Sequence, residues 1–391
     1  MGKIKTLAWV LYEGEKNNHE ESPVKKEVIS FEVVTGKEVL AEPIYGGWEA
    51  NMTHALQRKP LDVCRKRGES KVVLGNSGVV RVIKTGPGVT RVKEGDLCVF
   101  FGFSPTNRVN CLGYVDTFFA FGYDEPGTIG MLAKQTKLVE HQLFPIPRDS
   151  KIPLHQWPIL SVRFATAWSN WKVASGCFRV QVSMEEYPSP YVVGWGGGAA
   201  LGELLLAKEQ SYKVAMTAST DKRLEYLKNL GITPVDRRAF PGLNYDPVKY
   251  ESDREYRKKY LASLRIFRNV IDEITQGEDV SIFIENIGLV VYPATLRVLG
   301  RPGVIATSGW KEGMNLHINR ALECHCRHIH VFTHGFGLAE ARECFDYTNQ
   351  NNWIPGDNTP IYDWEDIPQL AHDFANGKID SYFPTFQVNP I

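Results

Sequence analysis

The sequence has no excess of charge of either sign. Over 391 residues its 45 basic side chains balance its 45 acidic ones, so electrostatics gives no reason to expect a nucleic acid or a membrane surface as a partner. No signal peptide or long apolar run opens the chain, and its seven cysteines are scattered and odd in number. These features predict a cytoplasmic, reduced protein. The length leaves room for two domains with packed cores.

The first part of the chain favours β structure. Short apolar runs are broken by glycine and proline, at residues 37–40, 72–74, 78–83 and 93–100. Turn signals that recur about every eight to twelve residues are typical of a small, barrel-like β domain.

From about residue 161 helices alternate with strands. Helices are predicted over residues 162–174 and 293–299, and strands over residues 280–284, 303–307 and 328–332. This alternation predicts a doubly wound parallel sheet, so the fold class is α/β.

A charged segment, residues 252–275, stands out within this second part. Its apolar residues recur at helical spacing, and its first eight residues include the cations Arg254, Arg257, Lys258 and Lys259. We interpret the segment as an amphipathic insertion whose packed stripe lies beneath a solvated outer face.

The most informative segment is residues 191–224. An apolar run ends at Trp195 and enters a helix through Gly196-Gly197-Gly198-Ala199-Ala200-Leu201-Gly202. Glycines let the backbone approach a ligand closely, and a helix N-terminus offers free N–H groups, so this arrangement predicts a pyrophosphate site for a dinucleotide. The spacing is G-x-G-x-x-x-G rather than G-x-G-x-x-G, and the alternative is a turn that only packs the helix on the sheet.

The end of the next predicted strand favours one dinucleotide. The acidic residue that would bind a ribose 2′-hydroxyl, expected about 20 residues on, is missing. Ser219 and Thr220 stand there instead, followed by Lys222 and Arg223, while Asp221 comes past the strand end. Hydroxyl and cationic side chains suit a 2′-phosphate, so we expect NADPH as the cofactor.

The order of the two parts resembles the medium-chain dehydrogenase/reductase superfamily over about residues 35–345. The β part carries Leu74-Gly75-Asn76-Ser77-Gly78, then Gly86-Pro87-Gly88-Val89, then Glu94-Gly95-Asp96. Within the superfamily, the chain looks most like the crotonyl-CoA carboxylase/reductase branch of the enoyl-thioester reductases. Four stretches carry this likeness: Phe121-Gly122-Tyr123-Asp124 with Gly127; Ala165-Thr166-Ala167-Trp168; the insertion that closes with Ile274-Thr275-Gln276-Gly277-Glu278-Asp279-Val280 and Ile284-Glu285-Asn286-Ile287-Gly288; and His334 followed by Glu340-Ala341.

The resemblance implies a domain organisation. A GroES-like β-barrel catalytic domain would span residues 1–160, completed by about 340–391, and a Rossmann NADPH-binding domain would span residues 161–339. A homodimer or homotetramer, joined near residues 304–305 and 328–332, is expected on the same grounds.

The resemblance also implies site residues. Thr166, Asn286 and Ser308 would contribute to the cofactor site together with the glycine turn. In carboxylating relatives, a glutamate after the aromatic at Tyr123 and a histidine matching His334 help to hold CO₂. This chain has Asp124 in place of that glutamate, shorter by one methylene, which weighs against carboxylation but not against reduction. The alternative for His334 is a structural histidine at the start of a helix.

No metal is expected. Zinc-dependent relatives place a cysteine at a strand end and a histidine in a Gly-His-Glu sequence, where this chain has Tyr45 and Asn76. A structural-zinc lobe of four close cysteines is absent, because only Cys98 and Cys111 occur in that region. The run Cys324-His325-Cys326-Arg327-His328-Ile329-His330 is rich in metal ligands, but consecutive strand positions point to opposite faces and these side chains should not converge.

Without a Lewis acid, NADPH can still reduce a C=C bond conjugated to a carbonyl. Hydride addition at the β-carbon gives an enolate, which needs a hydrogen-bond donor and a proton for the α-carbon. Tyr45 is the first candidate for donor or acid, and an aromatic packed under the cofactor is its alternative. Asn51 and His54 would line the same cleft or serve as structural residues.

Together these features predict a zinc-independent, NADPH-dependent reductase of α,β-unsaturated thioesters carried on CoA or on a carrier protein. Two alternatives stay open. One is a reductase of free enones or quinones, and the other is a non-catalytic NADPH-binding regulator.

Overall fold

The chain folds into two compact units, one comprising Met1–Ala165 with Phe336–Ile391 and the other Thr166–Gly335. The structure is a computed structural model that describes residues 2–14, 24–105, 119–356 and 361–391. Cys111, one of the cysteines considered above, lies outside the described residues.

The strands of the described chain follow in order. They are β1 (Lys3–Tyr12), β2 (Lys25–Glu32), β3 (Glu38–Gly47), β4 (Lys71–Val72), β5 (Ser77–Thr85), β6 (Leu97–Phe101), β7 (Thr136–Val139), β8 (Leu143–Pro145), β9 (Tyr191–Gly194), β10 (Lys213–Ala218), β11 (Thr233–Asp236), β12 (Val280–Ile284), β13 (Leu299–Thr307), β14 (His328–Phe332) and β15 (Thr385–Gln387).

The helices are numbered in the same way. They are α1 (Ala50–Leu56), α2 (Val63–Arg67), α3 (Ala165–Gln181), α4 (Gly198–Glu209), α5 (Asp221–Asn229), α6 (Pro247–Ser252), α7 (Arg254–Thr275), α8 (Tyr292–Leu296), α9 (Arg320–Cys326), α10 (Leu338–Asn351) and α11 (Ile367–Ala375). One turn of π-helix, Leu160–Phe164, leads into α3. No helix of the described ranges combines the length and the apolar character that crossing a bilayer requires.

The first unit is built on antiparallel β structure. Its main sheet has the order β15-β3-β5-β6-β8, with β7 also paired to β3, and a smaller sheet has the order β2-β1-β4. Strand β3 is central because β5, β7 and β15 all pair with it. Its residues are almost all buried. Val39 and Ala41 within the strand belong to the hydrophobic core, as does Trp48, which follows it.

The second unit contains a parallel sheet of six strands in the order β11-β10-β9-β12-β13-β14. The central strands β9 and β12 are buried along their whole length, as expected when helices cover both faces of a parallel sheet. Helix α7 contributes Tyr260, Phe267 and Ile271 to the core on one face of this sheet. The predicted α/β fold class is therefore confirmed.

Several predicted elements match the structure closely. Strands β12 and β14 have the predicted bounds, and α7 follows the predicted amphipathic segment from Arg254. The helix predicted over 162–174 begins as the π-turn and continues as the 17-residue α3 to Gln181. The helix predicted over 293–299 is shorter, because β13 already begins at Leu299.

One structural premise of the sequence analysis was wrong. Cys324 and Cys326 do not lie on a strand, because they form the end of α9, which Arg327 terminates in a left-handed conformation. The strand begins only at His328. His328 and His330, two positions apart, share one face of β14, and both contact Glu323 of the helix.

Candidate cofactor and active site

The glycine turn joins the end of β9 to the N-terminus of α4. Gly197 caps the helix with a φ of 146°, a value that side-chain-bearing residues rarely adopt, and no side chain caps the first turn. The backbone N–H of Gly196 donates to Oγ1 of Thr217 at 3.2 Å, and a Cβ on Gly196 would lie 2.9 Å from the carbonyl oxygen of Thr217. The free N–H groups of the first turn of α4 therefore stand beside the neighbouring strand, ready for an anion.

The predicted residues of this turn divide by burial. Gly196, Gly197, Gly198 and Ala199 are half-buried, whereas Ala200 and Leu201 are fully buried. A ligand at the turn can therefore contact the half-buried residues, while Ala200 and Leu201 anchor the helix to the sheet.

The end of β10 carries the residues that predicted NADPH. Ser219 is exposed, and Thr220 caps α5 by accepting a hydrogen bond from the backbone N–H of Arg223 at 3.4 Å. Lys222 is exposed and Arg223 half-buried in the first turn of α5. The hydroxyl and cationic groups thus lie together at the carboxyl end of a strand, where open α/β sheets bind ligands.

A third cation at this edge was missed by the sequence analysis. Arg238 follows β11 and pairs with Asp221 at 2.6 Å and with Asp236 at 2.8 Å. These hydrogen bonds hold the pKa of the Asp236 carboxyl below its usual range. Asp221, the acidic residue noted past the strand end, therefore shares the Arg238 guanidinium with Asp236.

Three predicted site residues form one hydrogen-bonded series at the carboxyl ends of β12, β13 and β14. Oδ1 of Asn286 accepts hydrogen bonds from the backbone N–H of Ser308 at 2.7 Å and from its hydroxyl at 3.2 Å. The carbonyl oxygen of Ser308 lies 2.7 Å from Nδ1 of His334, so Nδ1 carries the proton that is donated. The His334 ring also packs on Trp310, with 5.1 Å between ring centroids.

Two further residues support this edge and were not predicted. Asn170 of α3 donates through Nδ2 to the carbonyl oxygen of Thr307, at 3.2 Å, and to the hydroxyl of Thr333. Oε1 of Glu285 accepts from the backbone N–H groups of Ile287 and Gly288. The role of Asn170 cannot be inferred from spacing, because it depends on which strand ends become neighbours, whereas the two hydrogen bonds of Glu285 are local to the loop after β12. Thr166, the predicted cofactor residue on α3, is 6% exposed.

In the first unit, Tyr45 lies near the end of β3, between Val79 of β5 and Gln387 of β15. Its side chain is 6% exposed and meets the ring of His155 edge-on, with 6.1 Å between ring centroids. Burial raises the pKa of the Tyr45 hydroxyl above its ordinary value. The phenol is therefore protonated at neutral pH and is able to donate a hydrogen bond.

Buried polar groups follow Tyr45 along the chain. Nε of Arg163 and Oε2 of Glu49 form an ion pair of 3.1 Å. Burial raises the pKa of Glu49, although Arg163 opposes the shift. Asn51 is half-buried in α1, and its Oδ1 has no hydrogen-bond partner. His54 is half-buried in the last turn of the same helix.

Asp124 is held by two contacts of its own unit. Its Oδ1 accepts from the backbone N–H of Ala120 at 2.7 Å, and its Oδ2 pairs with Nζ of Lys66 at 2.9 Å. The residue is 4% exposed. Both carboxylate oxygens are thus engaged in holding the loop that contains the carboxylate.

The positions of the expected zinc ligands are occupied by other chemistry. Asn76 is buried, and its Oδ1 has no hydrogen-bond partner. In the segment of α9 and β14 that is rich in cysteine and histidine, Oε2 of Glu323 lies 2.9 Å from Nδ1 of His328 and 3.0 Å from Nε2 of His330. Within the described ranges, no three His, Cys, Asp or Glu residues are grouped so that they could hold a metal ion.

No protein-family model and no curated protein matches the chain. Solved structures do match it. The crotonyl-CoA carboxylase/reductase AntE in complex with NADP is 20% identical, with a TM-score of 0.78 over 98% of this chain and 94% of that one. The 2-octenoyl-CoA carboxylase reductase CinF, in complex with NADP and 2-octenoyl-CoA, is 17% identical, with a TM-score of 0.77 over 99% of this chain and 88% of that one.

An alcohol dehydrogenase from Aeropyrum pernix also matches. It is 16% identical, with a TM-score of 0.75 over 97% of this chain and 99% of that one. These likenesses extend over nearly the whole of each protein and concern the fold. The chain therefore has the fold of the medium-chain dehydrogenases and reductases, including the crotonyl-CoA carboxylase/reductases that its sequence resembles.

Proposed function

We propose that the protein is a zinc-independent, NADPH-dependent reductase of α,β-unsaturated thioesters that delivers hydride to the β-carbon and a proton to the α-carbon. The observation that carries most weight is the uncapped N-terminus of α4 beside a strand end with hydroxyl and cationic side chains. The shared fold with enzymes solved with NADP, one of them also with an enoyl-CoA, supports the same assignment.

The residues of the second unit fit NADPH. The first turn of α4 would hold the pyrophosphate through its backbone N–H groups, and the glycines would allow its close approach. Ser219, Thr220, Lys222 and Arg223 would hold the 2′-phosphate, since charge-assisted hydrogen bonds to phosphate are strong. Asn286, Ser308 and Thr166 would line the remainder of the cofactor site. When bound, NADPH supplies the hydride.

Tyr45 would act on the thioester. Hydride addition at the β-carbon places negative charge on the thioester oxygen, and a donor that is already in place stabilises that charge most effectively. The protonated phenol of Tyr45 offers such a donor in a buried setting, and its proton can also pass to the α-carbon. Asn51 and His54, on the helix that follows β3, would border the same substrate site.

We assign reduction rather than carboxylation as the outcome. A carboxylate that helps to hold CO₂ needs a free oxygen, and both oxygens of Asp124 are engaged by Lys66 and Ala120. His334 has one nitrogen committed to Ser308, and in the neutral ring Nε2 remains able to accept a hydrogen bond. A role for His334 in holding cofactor or substrate is therefore compatible with simple reduction.

The assembly and location belong to the same proposal. Strand β14 is an edge strand of the parallel sheet. Phe332 on this strand is 57% exposed, and Leu322 on the adjacent α9 is 49% exposed. An edge strand with exposed apolar side chains favours pairing with a second copy, so we assign a homodimer. The cysteines of the described chain are free thiols, which fits a reducing cytoplasm.

The test is an assay of the purified protein with NADPH and crotonyl-CoA, with and without bicarbonate. Loss of the reduced nicotinamide absorbance is expected in both, and mass spectrometry should identify the saturated thioester as product. A product heavier by one carboxyl group would contradict the assignment of simple reduction.

Two further arms address the alternatives. A free enone and a quinone turned over as efficiently as the thioester would overturn the thioester assignment. No oxidation of NADPH with any acceptor, together with tight NADPH binding by nicotinamide fluorescence, would identify a regulator rather than an enzyme.

A further inference from the structure

The outer face of α7 carries a basic stripe, defined here as Arg254, Arg257, Lys258, Arg265 and Arg268. The inner face packs Tyr260, Ser263, Phe267, Ile271 and Thr275 into the second unit. Along the whole of α7 the exposed side chains include six cations and three carboxylates, and the carboxylates Asp272 and Glu273 lie in the last turn, beyond the stripe. The proposed reductase activity uses none of these groups.

The helical spacing aligns this charge. At 100° per residue, Arg254, Lys258, Arg265 and Arg268 lie within a strip about 80° wide and about 21 Å long at a rise of 1.5 Å per residue. The exposed carboxylate of Asp272 ends this strip one turn after Arg268. Leu261 lies in the middle of the same strip and is 45% exposed. No described residue forms an ion pair with these four cations. A row of unpaired cations around an exposed leucine is more than an amphipathic helix needs for solvation.

The stripe lies directly behind the cofactor side of the sheet. On the inner face of α7, the ring of Phe267 stacks on Trp195 with 5.0 Å between centroids and 22° between planes. Trp195 immediately precedes Gly196 of the glycine turn. At the level of Phe267, the width of α7 therefore separates the stripe from Trp195, the residue before the glycine turn.

The charge favours one class of partner. The chain as a whole has 45 basic and 45 acidic side chains, so a local excess of cations marks a specific surface rather than a general attraction to polyanions. Leu261 has no counterpart on a phosphate backbone, whereas an amphipathic acidic helix offers carboxylates around an apolar residue. The complementary surface is thus an acidic protein helix.

We propose that α7 is the docking surface for the acidic helix of an acyl carrier protein that presents the enoyl group as a thioester. This inference rests on the proposed reductase function, because only an enzyme of thioesters would need such a partner. It also selects between the two carriers that the sequence left open, in favour of the protein-bound thioester.

The experiment compares two substrates and two triple variants. The substrates are crotonyl-CoA and a discrete acyl carrier protein that bears a crotonyl-phosphopantetheine arm. The stripe variant is Arg254→Glu with Lys258→Glu and Arg265→Glu. The matched control, Lys84→Glu with Lys151→Glu and Lys228→Glu, makes the same change of net charge at exposed positions elsewhere. Circular dichroism and the melting temperature establish that both variants fold.

The stripe variant should lower kcat/KM for the carrier-bound substrate by about tenfold or more, chiefly through KM, and leave kcat/KM for crotonyl-CoA within about twofold. The control variant should affect neither substrate. For the native chain, raising the salt concentration should reduce activity on the carrier-bound substrate more steeply than on crotonyl-CoA. Equal effects of the two variants, or equal loss on both substrates, would overturn the docking surface while the reductase assignment stands.

Direct binding keeps the surface testable if no turnover occurs. Fluorescence anisotropy of the labelled carrier protein without an acyl group should report binding to the native chain and to the control variant, and loss of binding to the stripe variant. A short DNA duplex and anionic lipid vesicles serve as competing ligands. Binding of either one as tight as that of the carrier protein would contradict the proposed partner.

Discussion

The carboxylate of Glu285 accepts a 2.8 Å hydrogen bond from the backbone N–H of Gly288. The same oxygen accepts from Ile287 at 2.7 Å, so Glu285 folds the loop after β12 back onto the strand end. Burial raises the pKa of this carboxyl to about 7, although the two N–H groups oppose the shift. A group that titrates near neutral pH therefore holds a loop of the proposed cofactor site.

This arrangement predicts a pH dependence of stability. The pKa of Glu285 is raised on folding from 4.5 to about 7, so its stabilising contribution is complete below pH 4.5 and is lost as the pH rises through 7. Glu285→Gln keeps an oxygen for both N–H groups but cannot ionise. Urea unfolding of both proteins should show that the native chain loses up to about 3 kcal/mol relative to the variant between pH 5 and pH 8. Parallel pH profiles would contradict the assignment.

Tyr45→Phe should lower kcat by about a hundredfold or more, the typical contribution of a transition-state donor or acid. The dissociation constant for NADPH should stay the same, because Tyr45 belongs to the first unit and the cofactor residues to the second. Since burial raises the pKa of the hydroxyl, native activity should persist to alkaline pH before Tyr45 ionises. Steady-state kinetics and a cofactor titration measure both effects, and unchanged turnover would remove Tyr45 from the mechanism.

The double variant Lys222→Ala with Arg223→Ala should raise the Michaelis constant for NADPH by about tenfold to a hundredfold, the loss expected for charged hydrogen bonds to a phosphate. The Michaelis constant for NADH should change little. Lys228→Ala, an exposed cation farther along the same helix α5, is the matched control and should affect neither cofactor. Equal changes for NADPH and NADH would refute the 2′-phosphate site.

Glu203 of α4 is fully buried, and neither of its carboxylate oxygens has a hydrogen-bond partner. Burial raises its pKa well above the ordinary value, so the group is kept neutral at a cost to stability. Glu203→Met should therefore increase the free energy of unfolding by roughly 1 to 3 kcal/mol, and by more as the pH rises. Glu209→Met, at the exposed end of the same helix, should change it by less than about 0.5 kcal/mol. Destabilisation by Glu203→Met would indicate a bound partner for the carboxyl.

The sequence predicted the elements that local patterns determine. Strands β12 and β14 were found because each is an apolar run bounded by glycine or by polar residues, and the start of α4 was marked by its glycines. Strands β1, β2 and β15 were not predicted. The three residues of β15 form a strand only because they pair with β3, more than 300 residues earlier in the chain, and no local pattern reports such a pairing.

The site was predicted to a similar degree. The spacing of residues indicated the glycine turn and the cations after β10, and the family resemblance supplied Asn286, Ser308 and His334, which the structure joins by hydrogen bonds. Asn170 was missed because its partners lie at the ends of strands that are distant in the sequence, and Arg238 because its approach to Asp221 depends on how α5 and β11 lie side by side. The two contacts of Asp124 with Lys66 and Ala120 also depend on the folded loop, and they bear directly on the question of carboxylation.

Asn286, Ser308 and His334 form a hydrogen-bonded series on one half of the sheet's carboxyl edge. This half, after β12, β13 and β14, therefore tolerates single substitutions less well than the half after β10 and β11. Across β12, β13 and β14 the loops are crosslinked, so a substitution at any one of the three residues displaces the other two and its effects will not add. Across β10 and β11 most of the charged side chains are solvent-exposed and can be exchanged one at a time. Substitutions in the proposed 2′-phosphate site are thus expected to act independently of one another, whereas substitutions of Asn286, Ser308 and His334 are expected to be coupled.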